Sequence, residues 1–347
     1  MLKNKILHRI LAYCLSLVPA FCYANAPTDA NANPNTNAEK LCAIYPHLKD
    51  SYWLSVNYGM VTEAQQQNVA LKVFESGGYL NLTKQQQQII ACETWGADAI
   101  LLGTVSPDGY QNNLDLFSAD TPVFATVNYL QLSEQQAENV KGVVGVDWYD
   151  MGHKVGEYLA NKHPKGQGKA TLALLPGPKA SGGTKPAVQG FLDSIADADI
   201  DVQTTLWADN DKELQRNLIQ QILDTSTPPD YIAGSAVAIE AAISELRSLS
   251  IEPPKLLSIY LSHGVYRGLL RNKVILAPTD QMVTQGRESV KQALHYLRQQ
   301  PYQTPIAPEI NVLTPTNLDS INIKNSLSPG GYRPIFSITP KLPQDAR

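Results

Sequence analysis

The sequence predicts an α/β protein made of two doubly wound lobes, each built on a parallel sheet. Two observations lead to this prediction. Short apolar runs alternate with longer runs of helical spacing along most of the chain, which is typical of parallel strands covered by helices on both faces. The 347 residues, of which 43% are hydrophobic, are enough for two such lobes with a core each.

The N-terminus predicts a signal peptide over residues 1–26. Three positive residues precede an apolar run at 10–21 that is too short to anchor a protein in a bilayer, and Ala24 and Ala26 both offer small residues for cleavage. We therefore expect secretion into a bacterial periplasm. Removal of the three positive charges changes the formal net charge from -4 to -7. The charges form no long blocks, which argues against a nucleic-acid surface.

The first half of the chain predicts five strands after a polar, Asn-rich leader at 27–38. The helical segments are Trp53–Gln67 and "LTKQQQQIIACETWGA". The strand-like runs are "LCAIYP", "NVALKVF", "ADAILLGTV", "TPVFATVN" and "KGVVGVD". We interpret the glutamine runs at 65–67 and 85–88 as solvated helix faces.

The second half continues the alternation. Its helical segments are "YDMGHKVGEYLANKH", "KPAVQGFLDSIA", "NDKELQRNLIQQILD", "AIEAAISELRSL" and Thr284–Arg298. Its strand-like runs are "KATLALLPG", "DVQTTLWAD", "DYIAGSA", "KLLSIYL", "KVILAPTD" and a late strand near "EINVLTP". In such sheets, ligands bind beyond the carboxyl ends of the strands.

Two cysteines remain after the signal peptide, Cys42 and Cys92. An even pair in an oxidising compartment favours a disulfide. The alternative is two buried free thiols.

A pair of large rings, Tyr52 and Trp53, stands at the start of the first helix in "KDSYWLSVNYG". Such rings either pack in a core or face a ligand. The order of landmarks around them resembles the type I periplasmic binding proteins over almost the whole mature chain. The pair follows the first strand, "GVDWYDMG" stands at a first crossover, "VQGF" at the signature of the second lobe and "SIYLSHG" at a second crossover.

This resemblance implies two similar lobes that are joined by three crossovers and enclose a ligand cleft. The lobes expected from it are residues 39–146 with 263–299, and residues 147–262 with 300–342. The opening rings are then expected to face the cleft.

The departures from the sugar-binding members of this family concern the polar residues. Sugar binders need paired donors and acceptors for each hydroxyl. Here the Asp-Asn pair of the first crossover reads Asp147-Trp148, the Arg position is Ala187, and the Asp of a later loop is Tyr260. Such a cleft is a poor host for a sugar.

An aromatic cleft suits a methylated ammonium group, because ring faces are electronegative, while indole and phenol groups donate hydrogen bonds at their edges. Trimethylamine N-oxide (TMAO) uses both properties. The expected ligand-binding residues are Tyr52, Trp53, Tyr79, Trp148 and Tyr260, with Asp147 and Gln281 as secondary candidates. We also expect Asp147 to cap the helix that begins near Trp148.

Longer stretches, among them "LCAIYPHLKDSYWLSVNYGMV", "WADNDKELQRNL" and "YLSHGVYRGLLRNKV", are similar to the TMAO-sensing members of the family. That similarity implies a partner, the periplasmic domain of a membrane sensor histidine kinase that controls TMAO respiration. His263 and Arg267 are equally compatible with structural, partner-facing and ligand-contacting roles.

No catalytic or metal-binding motif competes with this interpretation. The chain contains neither H-E-x-x-H nor G-x-S-x-G, and we expect no cofactor and no metal. The glycine-rich stretch "KGQGKAT" precedes a strand and is interpreted as a turn, and "GPKASGGTKP" as a cleft, surface or partner-facing loop. The alternatives are a transport receptor for a small methylated amine or a sugar, and a secreted enzyme.

Overall fold

A computed structural model of the chain describes residues 38–111, 113, 116–117, 120–248 and 252–341. The expected signal peptide, and the leader up to residue 37, lie outside these ranges. Within them, no helix is long and apolar enough to cross a membrane.

The first sheet is formed by the N-terminal part of the chain. Its elements are β1 (Lys40–Tyr45), α1 (Ser51–Gln67), β2 (Ala70–Glu75), α2 (Leu82–Thr94), β3 (Ala99–Leu102), β4 (Val123–Thr126), α3 (Glu134–Ala137) and β5 (Val140–Val144). The five strands run parallel in the order β2-β1-β3-β4-β5. The sequence pattern predicts all five.

The second sheet follows in the same manner. Its elements are α4 (Trp148–Lys162), β6 (Ala170–Gly177), α5 (Thr184–Ile195), β7 (Ile200–Trp207), α6 (Lys212–Leu223), β8 (Tyr231–Gly234), α7 (Ala236–Glu245), β9 (Lys255–Ser258), α8 (His263–Leu270) and β10 (Val274–Thr279). The chain ends with α9 (Met282–Leu297), β11 (Asn311–Leu313) and β12 (Ser337–Ile338).

The order of the second sheet is β11-β10-β9-β8-β6-β7, and β12 pairs with β2 at the edge of the first sheet. Both sheets are parallel except for these late strands, since β11 and β12 pair antiparallel. The predicted fold class, two doubly wound α/β lobes, is confirmed.

The burial of the strands explains their sequences. Strands β3, β4 and β8 are buried at every position, because helices cover both faces, and they read as nearly continuous apolar runs. The edge strand β7 has no fully buried residue, so it tolerates the mixed sequence "IDVQTTLW". The apolar runs therefore indicate strands that are buried on both faces, not strands with one buried and one exposed face.

The chain passes between the sheets at three places: between β5 and α4, between β10 and α9, and between β11 and β12. This differs from the lobe limits expected from the resemblance, in which residues 263–299 join the first lobe. Strand β10 pairs with β9 and β11, and α8 packs on α7 and β10. Of the elements within residues 263–299, only α9 lies against the first sheet, where it contacts α1 and β5.

We therefore propose different lobe limits. The first lobe comprises residues 38–146 with 282–299 and the strand β12, and the second comprises residues 147–281 with β11. The physical reason is the pairing of β10, whose backbone groups must hydrogen-bond to neighbouring strands and find them in the second sheet.

Helices α4 and α5 pack closely because glycines remove the side chains between them. A Cβ added at Gly152 would lie 1.8 Å from the carbonyl oxygen of Ala187, and one at Gly190 would lie 2.0 Å from that of Tyr149. These contacts fix the helix that begins with Trp148.

Gly152→Ala is expected to lower the free energy of unfolding by about 1–3 kcal/mol or more, because the added methyl group must push backbone apart. Chemical denaturation measures the loss. Gly330→Ala is the matched control, since nothing lies within 4 Å of a Cβ added there. Equal stability of the two variants would contradict the packing described for α4 and α5.

The predicted disulfide between Cys42 and Cys92 is confirmed. Cys42 lies in β1 and Cys92 in α2, their Cα atoms are 5.8 Å apart, and the bond joins residues 50 positions apart. Both side chains are fully buried. The bridge therefore ties α2 to the central strand of the first sheet.

Candidate functional site

The rings at the start of α1 are held by a helix cap. The side chain of Asp50 accepts hydrogen bonds from the backbone N–H groups of Tyr52 and Trp53, each at 3.1 Å. An aspartate at this position satisfies donors that the first turn leaves free. Because α1 follows β1 directly, the cap places both rings at the carboxyl edge of the first sheet.

Five aromatic side chains meet between the two sheets. Tyr52 contacts Trp53, Trp148 and Tyr260, with ring centroids 5.9, 6.2 and 5.3 Å apart. Trp148 and Tyr260 lie 6.1 Å apart at an interplanar angle of 90°. Tyr79 joins the group through a hydrogen bond to Trp53. The structure thus brings together all five rings that the sequence suggested.

The rings come from both lobes. Tyr52, Trp53 and Tyr79 follow strands of the first sheet, Trp148 begins α4, and Tyr260 follows β9. All five side chains are buried, with exposed fractions of 1% to 8%. A change in the separation of the lobes must therefore change the contacts between these rings.

The polar groups of three rings are satisfied within the protein. The indole Nε1 of Trp53 donates to the hydroxyl of Tyr79 at 3.1 Å, and that of Trp148 donates to the carbonyl oxygen of Val127 at 3.2 Å. The hydroxyl of Tyr52 donates to Asp280 at 2.5 Å. The hydroxyl of Tyr260 is buried and has no hydrogen-bond partner among the described residues.

A small cavity lies between the rings. Its volume is about 30 Å³, which is space for two or three waters. Its polar lining consists of Asp50, Asn128, Ser181, Thr184 and Asn210. Asn210 also has a buried side-chain oxygen without a partner. The cavity therefore offers ring faces together with unsatisfied donors and acceptors.

The phenol groups of the site stay protonated at neutral pH. Burial raises the pKa of Tyr52 and of Tyr260 well above the ordinary value, and the nearby carboxylates of Asp280 and Asp50 add to the effect. Burial also raises the pKa of Tyr79. These hydroxyls consequently act as hydrogen-bond donors.

Asp280 is a buried carboxyl group behind the cavity. It accepts hydrogen bonds from the hydroxyl of Tyr52 and from Nε2 of Gln285, at 2.8 Å for the latter, and its second oxygen has no partner. Burial raises its pKa above the ordinary value, although the hydrogen bonds from Tyr52 and Gln285 oppose this. Asp280 thus fixes the Tyr52 ring from the segment that joins β10 to α9.

Asp280→Asn is expected to make stability less dependent on pH while keeping an acceptor for Tyr52. Because the native pKa is raised, the native state holds this proton more tightly than the unfolded state does. That contribution is complete below the unfolded pKa, about 3.9, and is lost as the pH rises through the native pKa. The wild type should therefore lose stability relative to Asp280→Asn as the pH rises above about 4. Thermal unfolding at several pH values measures the difference, and a constant difference would contradict the assignment.

The two secondary candidates lie outside the cavity lining. Asp147 is exposed and caps α4, since its side chain accepts the N–H of Tyr149 at 2.9 Å, so the predicted cap is confirmed. Gln281 has a left-handed backbone with φ of 57°, and its amide donates to the carbonyl oxygen of Glu309 at 3.1 Å. Its neighbour Asp280 contacts the site instead.

Sequence reasoning missed the polar lining. Asp50 carried a usable signal, because an aspartate immediately before a helix-starting segment predicts a cap. Asn128 and Asn210 lie after predicted strands, where cleft residues are expected. Ser181 and Thr184 come from "GPKASGGTKP", so this stretch contributes to the cavity.

The other glycine-rich stretch, "KGQGKAT", has a structural role. The carboxylate of Asp199 accepts the backbone N–H groups of Gly166, Gln167 and Gly168 at 2.8 to 3.0 Å. These N–H donors are therefore satisfied within the protein and are not free to hold an anion, in agreement with the interpretation of the stretch as a turn.

His263 joins three parts of the chain. Its backbone N–H donates to the hydroxyl of Ser51 at 2.9 Å, and its ring Nε2 lies 2.8 Å from the carbonyl oxygen of Ser328. His263 does not line the aromatic cavity. Among the described residues, no group of three or more His, Cys, Asp and Glu side chains is placed to hold a metal.

Comparison with known proteins identifies the family that has this architecture. A family model described as periplasmic binding proteins and the sugar-binding domain of the LacI family matches residues 38–310. The periplasmic protein TorT of Escherichia coli strain K12 is 46% identical over 303 residues, which are 86% of this chain and 84% of TorT.

Two solved structures are also similar. The TorS sensor domain–TorT complex, crystallised in the presence of TMAO, contains a chain with 60% identity and a TM-score of 0.79, covering 86% of this chain and 99% of that one. A solute-binding protein of an ABC transporter from Bradyrhizobium sp. BTAi1, with bound bis-tris, has 34% identity and a TM-score of 0.72, covering 87% and 90%. The resemblance expected from the sequence is confirmed, and the chain belongs to the family of periplasmic binding proteins and LacI-type sugar-binding domains.

Proposed function

We propose that this protein is a periplasmic sensor that binds TMAO between its lobes and signals to a membrane sensor histidine kinase of the TorS type. The proposed role is binding and signalling, without catalysis. The observation that carries it is the cavity between five rings, in which the Tyr260 hydroxyl is buried without a partner among the described residues.

The two ends of TMAO match two parts of this cavity. Its methyl groups bear positive potential and suit the faces of Trp53, Trp148 and Tyr52. Its oxide is a strong acceptor and suits the hydroxyl of Tyr260. The hydroxyl of Tyr79 accepts the bond from Trp53, so its own hydrogen also remains available. A buried donor that gains an acceptor on binding avoids the cost of an unmade hydrogen bond.

A sugar suits this cavity poorly. The lining contains Ala187 and Tyr260 at positions where sugar binders are expected to have Arg and Asp side chains. The volume of about 30 Å³ also means that a pentose or hexose enters only if the lobes separate widely. A ligand of five non-hydrogen atoms requires a much smaller opening.

The relatives support the same ligand and partner. The complex of the TorS sensor domain with TorT has been crystallised with TMAO and without ligand, and this chain covers 99% of the matched TorT chain in each. The proposed function transfers that pairing to this chain, which belongs to the same family and has an aromatic cavity between its lobes.

Calorimetric titration with TMAO, trimethylamine, betaine and ribose tests the ligand. We expect TMAO to bind most tightly, trimethylamine more weakly because it lacks the oxide, betaine more weakly because its carboxylate requires more space, and ribose not at all. Binding of ribose, or the absence of TMAO binding, would contradict the proposal.

A transport receptor for a small amine is the second candidate. The observation that favours it is the likeness to the ABC transporter protein with bound bis-tris, which is a tertiary amine. The two functions share the fold and differ in the partner. Stimulation of a permease by the loaded protein would favour transport, whereas a change in kinase output would favour sensing.

A further inference from the structure

A wide basic groove lies on the second lobe, apart from the aromatic cavity. It runs between α7 and α8 and has a volume of about 610 Å³. Six cationic side chains line it, whereas Glu240 is the only carboxylate among the lining residues. The cations are Lys212, Arg247, Lys255, Arg267, Arg271 and Lys273.

The six cations are exposed, and none of them forms a salt bridge with a carboxylate that the structure describes. Arg247 and Arg271 lie near helix C-termini, where a positive charge is favourable. Lys255 lies 5.6 Å from the ring centre of Tyr231. The pKa of Asp230 is lowered mainly by the backbone hydrogen bond from Thr171, and the charge of Lys255 adds to this. Arg267 likewise lies in the last turn of α8. These local roles leave Lys212 and Lys273 unexplained on a chain whose net charge is negative.

The floor of the groove is apolar. Leu256 is buried there, and Ile243, Leu246 and Ile275 are half-buried. A cationic rim around an apolar floor between two helices fits an acidic segment with one apolar face, as in helix-in-groove recognition. A flat, anionic bilayer would reach the rim but not the recessed floor. The shape therefore favours a protein segment over a membrane.

A second depression connects the groove to the ligand site. This depression shares Lys212, Glu240 and Arg267 with the groove and extends to Asp50, which lines the aromatic cavity as well. Here α8 begins with His263, whose N–H donates to Ser51 of the first lobe. An occupant of the groove would thus touch α8 beside a contact that joins the two lobes.

We propose that this basic groove docks an acidic, amphipathic segment of the kinase sensor domain. The proposal rests on the proposed sensor function and adds the surface that meets the partner. Charges around such a surface mainly increase the association rate and select the partner. The binding is expected to weaken with salt, because exposed charges are screened within about 10 Å at 0.1 M.

The test measures binding of the purified sensor domain of a TorS-type kinase to the full mature protein at several salt concentrations. In the variant Arg247→Gln/Arg271→Gln/Lys273→Gln, we expect affinity for the sensor domain to fall about tenfold or more, with a weaker dependence on salt. TMAO affinity should stay unchanged, since these residues lie outside the aromatic cavity. The matched control, Lys162→Gln/Lys165→Gln/Lys169→Gln, removes three exposed charges outside the groove and should bind as the wild type does.

The outcomes separate this proposal from the proposed function. If the wild type binds the sensor domain and the groove variant binds it equally well, the docking proposal alone is wrong. If the wild type binds neither TMAO nor the sensor domain, the sensor function fails and the docking proposal with it. If the groove variant loses only binding to phosphatidylglycerol vesicles, the groove meets a membrane, which also overturns the proposal.

Discussion

Trp148→Ala is expected to weaken TMAO binding by about tenfold or more. A desolvated contact between a cationic group and an indole face contributes about 0.5–2 kcal/mol, and removal of the indole also admits water to the cavity. Trp148 contacts both Tyr52 and Tyr260, so its loss loosens the other rings. Calorimetric titration with TMAO measures the effect.

Three controls separate binding from folding. Trp148 is only 6% exposed, and truncation of a buried tryptophan costs about 3–5 kcal/mol of stability, so thermal unfolding must show that the variant is folded. Trp148→Phe keeps a ring at the site and should retain more affinity than Trp148→Ala. Trp95→Ala removes an indole outside the cavity and should bind TMAO normally. If Trp53→Ala and Trp148→Ala both bind TMAO as the wild type does, the rings are packing residues and the ligand site lies elsewhere.

Loss of the disulfide is expected to cause a large change in stability. In the chain-entropy model, a bridge that closes a loop of about 50 residues stabilises the native state by about 4 kcal/mol. The variant Cys42→Ala/Cys92→Ala should therefore have a free energy of unfolding lower by about that amount. Both sulfurs are buried, and alanine introduces no buried polar group in their place.

Denaturant unfolding of the oxidised wild type, the reduced wild type and the double variant measures this effect. The reduced wild type should resemble the double variant, because it also lacks the bridge. TMAO affinity should be preserved in the double variant, since neither cysteine lines the aromatic cavity. Equal stability of the oxidised and reduced proteins would show that the bridge does not constrain the unfolded chain.

The fold was largely predictable because parallel strands that are covered on both faces leave a clear signal. The runs that became β3, β4 and β8 are mostly apolar and buried throughout, and segments of helical spacing occur between the strands. The sheet that each strand joins was less predictable. The run that became β10 would be buried on both faces in whichever lobe it joined. Its sequence therefore does not indicate which strands it pairs with. The two-residue strand β12 is too short for any pattern to show.

The aromatic half of the site was predictable and the polar half was not. Large rings directly after apolar runs, such as Tyr52 and Tyr260, stand where the carboxyl ends of parallel strands meet. Asp280 was missed in favour of its neighbour Gln281. One position in a connecting segment decides which side chain reaches the hydroxyl of Tyr52, and periodicity does not fix that position. The left-handed backbone of Gln281 turns the chain at this point.

Titration of TMAO with and without the purified kinase sensor domain tests the central claim most directly. If the two-lobed protein is a sensor, TMAO and the partner are coupled through the same lobe arrangement, with a coupling energy of about 1–3 kcal/mol. The presence of the sensor domain should then change TMAO affinity by about 5- to 150-fold, and TMAO should change affinity for the sensor domain by the same factor. Tight TMAO binding that the sensor domain leaves unchanged, and that leaves kinase output unchanged, would contradict the account and make this protein a transport receptor.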